Sequence, residues 1–308
     1  VNMDYYRIFY YVAKYGNFTK AARTLGNSQP NVTRAMNCLE QQLQCNLFIR
    51  TNRGVQLTPE GERLYVRVSA AMTQLFAAEE ELGDRGGLTR GSISIGATET
   101  ALNIFLLEKL KSFHMEYPGI RLKLYNHSTP QAVEAVKSGK IEFAVVTTPV
   151  EMKPPLKKIV LQPFQEILVG GKTFTALGSQ VLSLAEVKNY PMICLGRETM
   201  TYQFYSQFFL KHCLELTPDT EVATTDQILP LVKNELGLAF LPEKIAEEAI
   251  ARHEIVQIAL QDPIPERQIC MVYDVEHSLN APTRQLKNLI LGGSAEPEKS
   301  VDIRVYKK

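Results

Sequence analysis

No apolar run in the 308 residues approaches the roughly 20 that a membrane-spanning helix needs. The N-terminal stretch is polar and aromatic, unlike a secretion signal. Cysteine is sparse and unpaired in pattern: Cys38, Cys45, Cys194, Cys213 and Cys270 are odd in number and form no Cys-x-x-Cys. They read as small, buried, reduced thiols of a cytoplasmic protein. Enzyme signatures are missing too. There is no Gly-x-Ser-x-Gly elbow and no His-Glu-x-x-His. The five histidines lack metal-ligand spacing, and His127 reads as structural. The segment GGKT at 170–173 looks like the end of a phosphate-binding loop, but Glu166 stands where its first glycine belongs. The sequence therefore implies no metal and no cofactor.

Net charge is only +1, but it is unevenly spread. Residues 1–67 hold nine Lys/Arg against four Asp/Glu, about +5, leaving about −4 on the rest. A basic N-terminal segment on a near-neutral chain suggests a polyanion-binding module joined to something else. The length suggests two or three domains.

The stretch YYRIFYYVAKYG has apolar residues at 5, 8, 9 and 12, the spacing of an amphipathic helix ended by Gly16. Asn17 can cap a second short helix, closed by Gly26. Ser28 is a good cap for a third, and Pro30 sits in its first turn, where a missing N–H costs nothing. Val32, Met36, Leu39 and Leu43 form one buried stripe. The other face carries Gln29, Asn31, Thr33, Arg34 and Asn37, suited to base edges and phosphates in a wide groove. A merely solvated face would look the same taken alone. The segment LFIRTNRGVQLT, residues 47–58, then reads as two short strands around Gly54, with Arg50 and Arg53 near the tip to reach phosphates or a minor groove. Two tight helices and a basic hairpin make a winged helix-turn-helix.

Residues 18–61 resemble the DNA-binding domain of LysR-type transcriptional regulators. The positions carrying the resemblance are Phe18, Ala21, Ala22, Leu25, Ser28, Gln29, Pro30, Arg34, Leu39, Glu40, Leu43, Leu47, Phe48, Arg50, Arg53, Leu57, Thr58 and Gly61. The departures are Asn31, Asn37, Cys38 and Cys45. At Asn31 the family often has a small apolar residue; around Asn37 it is often basic. Asn37 has the donor and acceptor to read adenine.

Thr58 can cap a helix that begins at Pro59. Its apolar positions, Leu64, Val68, Ala71, Leu75, Ala78 and Leu82, fall on a heptad seam. Such a seam predicts a homodimer through paired helices, with packing on the chain's own C-terminal part as the alternative. Gly83, Gly86 and Gly87 then make a flexible break.

From GSISIGAT onward, strand-like and helix-like stretches alternate, which predicts parallel sheets with helices on their faces. The strands read are GSISIGAT, IRLKLYN, IEFAVVTT, EILVGG, PMICLG, LAFLPE and RQICMVYD. The segments GSISIG, YPGIRLKL, SGKIEFAVV and ELGLAFLPE are similar to the effector-binding half of the same family. The resemblance implies a two-lobed α/β domain like the periplasmic binding proteins. It places lobe one at 91–162 plus 267–292 and lobe two at 163–266. The whole chain then divides into a winged helix-turn-helix at 1–58, a linker helix and hinge at 59–87, the effector domain at 91–292 and a polar tail at 293–308.

Ligands of open parallel sheets bind beyond the strand ends. Those ends carry Thr98 and Thr100, Ser128 and Thr129, Thr147 and Thr148, and, in the second lobe, Thr199 and Thr201. Hydroxyls and helix N-termini around a cleft suit a small anion, although capping alone also places Ser and Thr there. In the family, ligand contacts map to Thr100 and Thr129. Arg197 reads as half of a surface ion pair. The resemblance thus implies a transcription factor rather than an enzyme. Its partners would be double-stranded DNA, a small-molecule effector and RNA polymerase, with dimers pairing into tetramers. The rival reading is a cytoplasmic small-molecule-binding protein or enzyme with an N-terminal oligomerisation module.

Overall fold

The structure, a computed structural model, describes residues 2–51, 54–83, 91–277 and 279–292. It opens with α1 (Met3–Tyr15), α2 (Phe18–Thr24) and α3 (Gln29–Leu43). The side chains of Asn2, Asn17 and Ser28 cap them, each accepting a first-turn backbone N–H that has no partner within its helix. Between α2 and α3 the chain reverses through Gly26 at φ +61°, a left-handed turn that glycine adopts without strain. Ile8, Phe9, Val12, Ala21, Ala22, Val32, Met36 and Leu39 close one core under the three helices. An antiparallel hairpin comes next, β1 (Phe48–Thr51) and β2 (Gly54–Leu57).

The long helix α4 (Pro59–Gly83) begins at Thr58, whose Oγ1 accepts from Gly61 N at 3.0 Å and donates to Asn46 O at 2.6 Å. Gly61 is needed there because a Cβ would stand 2.2 Å from Leu47 O. The expected seam of α4 divides in two. Leu64 and Val68 turn inward with Tyr65, Met72 and Phe76 onto α1, where Tyr10 meets the Tyr65 and Phe76 rings at 6.1 Å each. Ala71, Leu75 and Ala78 remain exposed. The side chain of Leu82, and Gly86 and Gly87 entirely, lie outside the described residues.

Next come β3 (Gly91–Ala97), α5 (Glu99–Ala101), a wider π-helical stretch (Leu102–Leu106) and α6 (Leu107–Glu116). β4 (Ile120–Asn126), α7 (Thr129–Lys137), β5 (Phe143–Thr147) and β6 (Leu156–Phe164) complete this first part. The chain then enters β7 (Glu166–Gly171), β8 (Val181–Leu182), α8 (Leu184–Val187), β9 (Met192–Leu195) and α9 (Met200–Lys211). It continues through β10 (Thr220–Val222), α10 (Ile228–Lys233), β11 (Leu238–Pro242), α11 (Glu243–Ala251) and β12 (Ile255–Leu260). β13 (Arg267–Asp274) and α12 (Ala281–Ile290) are the last elements described.

Two sheets result, ordered β4-β3-β5-β13-β6 and β10-β9-β11-β7-β12-β8. Neither is purely parallel. β3, β4 and β5 run parallel, as do β9, β10 and β11, because helices connect them. β6 and β7, by contrast, are joined only through Gln165, and β13 returns from β12 without a helix. β13 therefore lies antiparallel to β5 and β6, and β7 antiparallel to β11 and β12. The chain crosses between sheets twice, at 165 and across 261–266. β5, β7, β9 and β11 are buried along their whole lengths, which their near-continuous apolar sequences require. Among the described residues, no helix is long and apolar enough to cross a membrane.

Candidate functional site

The N-terminal site is the outward face of α3. Gln29, Asn31, Arg34 and Asn37 are exposed, and Thr33 is half-buried. Pro30 occupies the first turn, beside the Ser28 cap. Two pairs already hold this face in shape. Gln29 Nε2 lies 3.0 Å from Thr33 Oγ1, and Asn31 Nδ2 donates to Asn27 Oδ1 at 3.1 Å. Glu40, on the inner flank, ties α3 to the wing by accepting from Leu47 N at 2.7 Å and Phe48 N at 3.1 Å. That carboxylate fixes where the hairpin leaves the helix. Arg50 lies in β1, and its side chain and the whole of Arg53 fall outside the described part of the molecule.

The second site lies where the two sheets meet. Thr98, Ser128 and Thr199 are helix caps: Thr98 accepts from Ala101 N, Ser128 forms a capping box with Gln131, and Thr199 accepts from Tyr202 N. Thr100 and Thr129 are buried in the first turns of α5 and α7. Thr129 Oγ1 donates to Thr147 O at 3.3 Å. Thr148 Oγ1 accepts from Gln268 N at 2.9 Å.

Thr147 and Thr201 converge on a residue that no sequence pattern singles out. Arg267, only 2% exposed, opens β13 at the second crossing. Its Nη2 donates to Thr147 Oγ1 at 3.0 Å and to Thr201 Oγ1 at 3.1 Å, and its Nε to Thr148 O at 2.7 Å. Nη1 pairs with Glu166 at 2.6 Å, and that side chain is 1% exposed. The rings of Phe164 and Phe204 lie 5.3 and 5.1 Å from the guanidinium carbon, one from the end of β6 and one from α9. Tyr205 is packed beside this pair; burial first, then the Glu166 carboxylate, push its phenol well above the usual range. A planar fork with fixed donors suits this hub, and lysine could not replace it. A second tie crosses nearby: Lys244 Nζ of α11 donates to Ile104 O at 3.1 Å.

A cavity of about 400 Å³ opens beside the junction, lined by Glu99, Asn103, Leu229, Pro230, Lys233 and Ile245 among others. None of the eight predicted hydroxyls lines it. The remaining candidates play other parts. His127 stacks on Tyr125 at 5.8 Å, and burial, then Lys140, lower its pKa. Arg197 pairs with Glu221 at 3.4 Å on the surface. All five cysteines are free, but only Cys194 and Cys270 are buried, and Cys213 is exposed.

Comparison with known proteins agrees with this architecture. A family model described as the LysR substrate binding domain matches residues 86–294, and one described as the bacterial regulatory helix-turn-helix protein, lysR family, matches residues 3–62. The HTH-type transcriptional regulator YofA of Bacillus velezensis is 27% identical over 282 residues, 92% of this chain and 95% of that protein. GltR of Bacillus subtilis, another HTH-type transcriptional regulator, is 28% identical over 259 residues, 82% of each chain. Among solved structures, ArgP of Mycobacterium tuberculosis superposes with a TM-score of 0.73 at 17% identity, over 96% of this chain and 98% of that one. Full-length CbnR, solved with its target DNA, gives 0.69 at 18% identity, over 96% of this chain and all of that one. With a winged helix-turn-helix, a linker helix and a two-sheet α/β domain in one chain, this protein belongs to the LysR family of transcriptional regulators, not to an enzyme family.

Proposed function

We propose that the protein works as a homodimer, pairing further into a tetramer, whose two winged domains read a double-stranded operator. The functional parts are 1–58 for DNA, 59–87 for pairing, 91–292 for the effector, and a tail at 293–308. Ser28, Gln29, Pro30, Asn31, Thr33, Arg34 and Asn37 face the major groove, and Arg50 and Arg53 reach the flanking backbone or minor groove. The observation that carries this reading is the uncovered polar face of α3, opposite a fully packed core. The protein crystallised as CbnR with its target DNA offers a precedent for the docking.

The effector is a small molecule, and in our reading a small anion, held between the lobes. In this reading Thr100, Thr129 and Thr201, in the first turns of α5, α7 and α9, contact it, with Thr98, Ser128, Thr147, Thr148 and Thr199 as their supports. Arg267 is not the counter-ion, since Glu166 already neutralises it. Effector binding changes the lobe angle, and α4 passes the change to the spacing of the winged domains and to RNA polymerase in the cytoplasm. Both ligands must bind the two arrangements with different affinities for this linkage to exist.

Binding to the DNA upstream of its own gene, measured across a salt series, tests the reading. The expected outcome is a steep salt slope together with a preference over random DNA that survives at high salt. Absence of binding even at low salt overturns it.

A further inference from the structure

The reading of α3 as the helix that meets DNA leaves open which side chains are fixed before contact and which adapt. One chain of hydrogen bonds answers this for a single residue. The Ser28 backbone N–H donates to Asn27 Oδ1 at 2.8 Å. A backbone N–H can only donate, so Asn27 Oδ1 is an acceptor, and the amide orientation of Asn27 is settled. Asn31 approaches that same oxygen at 3.1 Å and must present its nitrogen to it. The Asn31 amide is thereby oriented too, with one N–H spent on Asn27. Its carbonyl oxygen and its second N–H remain at an exposed position of α3. Gln29 has no such constraint, because a hydroxyl partner such as Thr33 accepts or donates equally well.

An acceptor and a donor side by side complement the major-groove edge of adenine, whose N6 amino group donates and whose N7 accepts. Guanine offers two acceptors there and cytosine a donor alone, so neither satisfies both atoms. We propose that Asn31 is a pre-oriented adenine reader and that Asn27 is its positioning residue, acting through the amide and not on the base. Arg34 and Asn37, whose exposed side chains are not tied in this way, adapt on contact. The proposal rests on α3 being the recognition helix.

Selection from randomised duplex DNA with the full chain tests it, comparing wild type, Asn31→Ala, Asn27→Ala and Asn27→Asp. Wild type is expected to enrich a motif with adenine at one position of each half-site. Asn31→Ala loses that preference by about tenfold and leaves the other positions alone. Asn27→Ala weakens the same position, because the amide is freed to turn over. Asn27→Asp keeps an acceptor oxygen and keeps the adenine preference, while its added charge lowers affinity evenly across sequences. The proposal is overturned if Asn31→Ala selects the wild-type motif, if the lost base is not adenine, or if Asn27→Ala leaves the adenine preference whole. If wild type selects no motif, the reading of α3 itself is lost, a separate outcome.

Discussion

At the scale of single residues, the Arg267–Glu166 pair carries the largest energetic stake. Both side chains are taken out of water, and their attraction offsets that cost only because the guanidinium has further acceptors in Thr147, Thr148 and Thr201. Arg267→Met leaves a carboxylate buried beside Tyr205 with no cation. The expected loss is roughly 3–5 kcal/mol in urea unfolding, and Glu166→Leu in the same chain recovers most of it, since an apolar pair of similar volume is no longer penalised. Sequence alone does not pair these two. Each heads an apolar strand, where a charge reads as the solvated end, and they are 101 residues apart. Cys194 is a second residue set by burial. Burial first, then the charges of Glu221 and Asp219, push its thiol up to about 12. In the native protein at pH 8, alkylation should mark exposed Cys213 and leave Cys194 unmodified until unfolding, which mass spectrometry reads directly. Because the raised value favours the neutral thiol, its stabilising effect is complete below about pH 9 and fades as pH rises toward 12.

At the scale of elements, legibility tracks locality. α1, α2, α3, the wing and the start of α4 are each set by caps and periodicity within a few residues, and the sequence is enough to find them. β6 and β12 escape it, as do the short β8 and β10. Pro154, Pro155 and Pro163 punctuate the first, and the second alternates only weakly, so their pairing with β13 and β7 is a long-range effect. The seam of α4 is half legible for a similar reason. Its period is visible in the sequence, but the aromatic cluster of Tyr10, Tyr65 and Phe76 that takes one end of the helix inward is not. The exposed remainder, Ala71, Leu75 and Ala78, is the part of the seam that the proposed dimer would use for pairing. Leu75 is 48% exposed, so Leu75→Glu should leave the fold of one chain intact while placing like charges across a paired helix. Sedimentation should find the dimer dissociating at least tenfold more readily, with operator affinity falling in parallel. A dimer of unchanged stability would move the interface elsewhere.

At the scale of the whole molecule, the question is what sets the angle between the two sheets. The covalent crossings at 165 and 261–266 are short, and any change of lobe angle has to be absorbed within them. The angle is held by side chains that bridge it: Thr201 on the Arg267 fork, Glu166 on the same fork, and Lys244 on the Ile104 carbonyl. Two of these can be removed without leaving a buried charge. Thr201→Val keeps the volume and deletes one acceptor; Lys244→Met keeps the aliphatic stem and deletes one donor. Hydrogen bonds to buried charged groups contribute about 1.5–3 kcal/mol, and that of Lys244, an exposed residue, contributes less. Losing both shifts the population of lobe arrangements by at least tenfold, since about 1.4 kcal/mol corresponds to each factor of ten. Paired spin labels, one on the exposed side of α6 and one on α9, should give a broader and longer distance distribution in the double variant than in wild type. If α4 carries lobe angle to the winged domains, the same variant should also alter the operator footprint with no effector added. An unchanged distance with a changed footprint would place the coupling outside these ties, whereas an unchanged distance and footprint would make the lobes a single rigid unit.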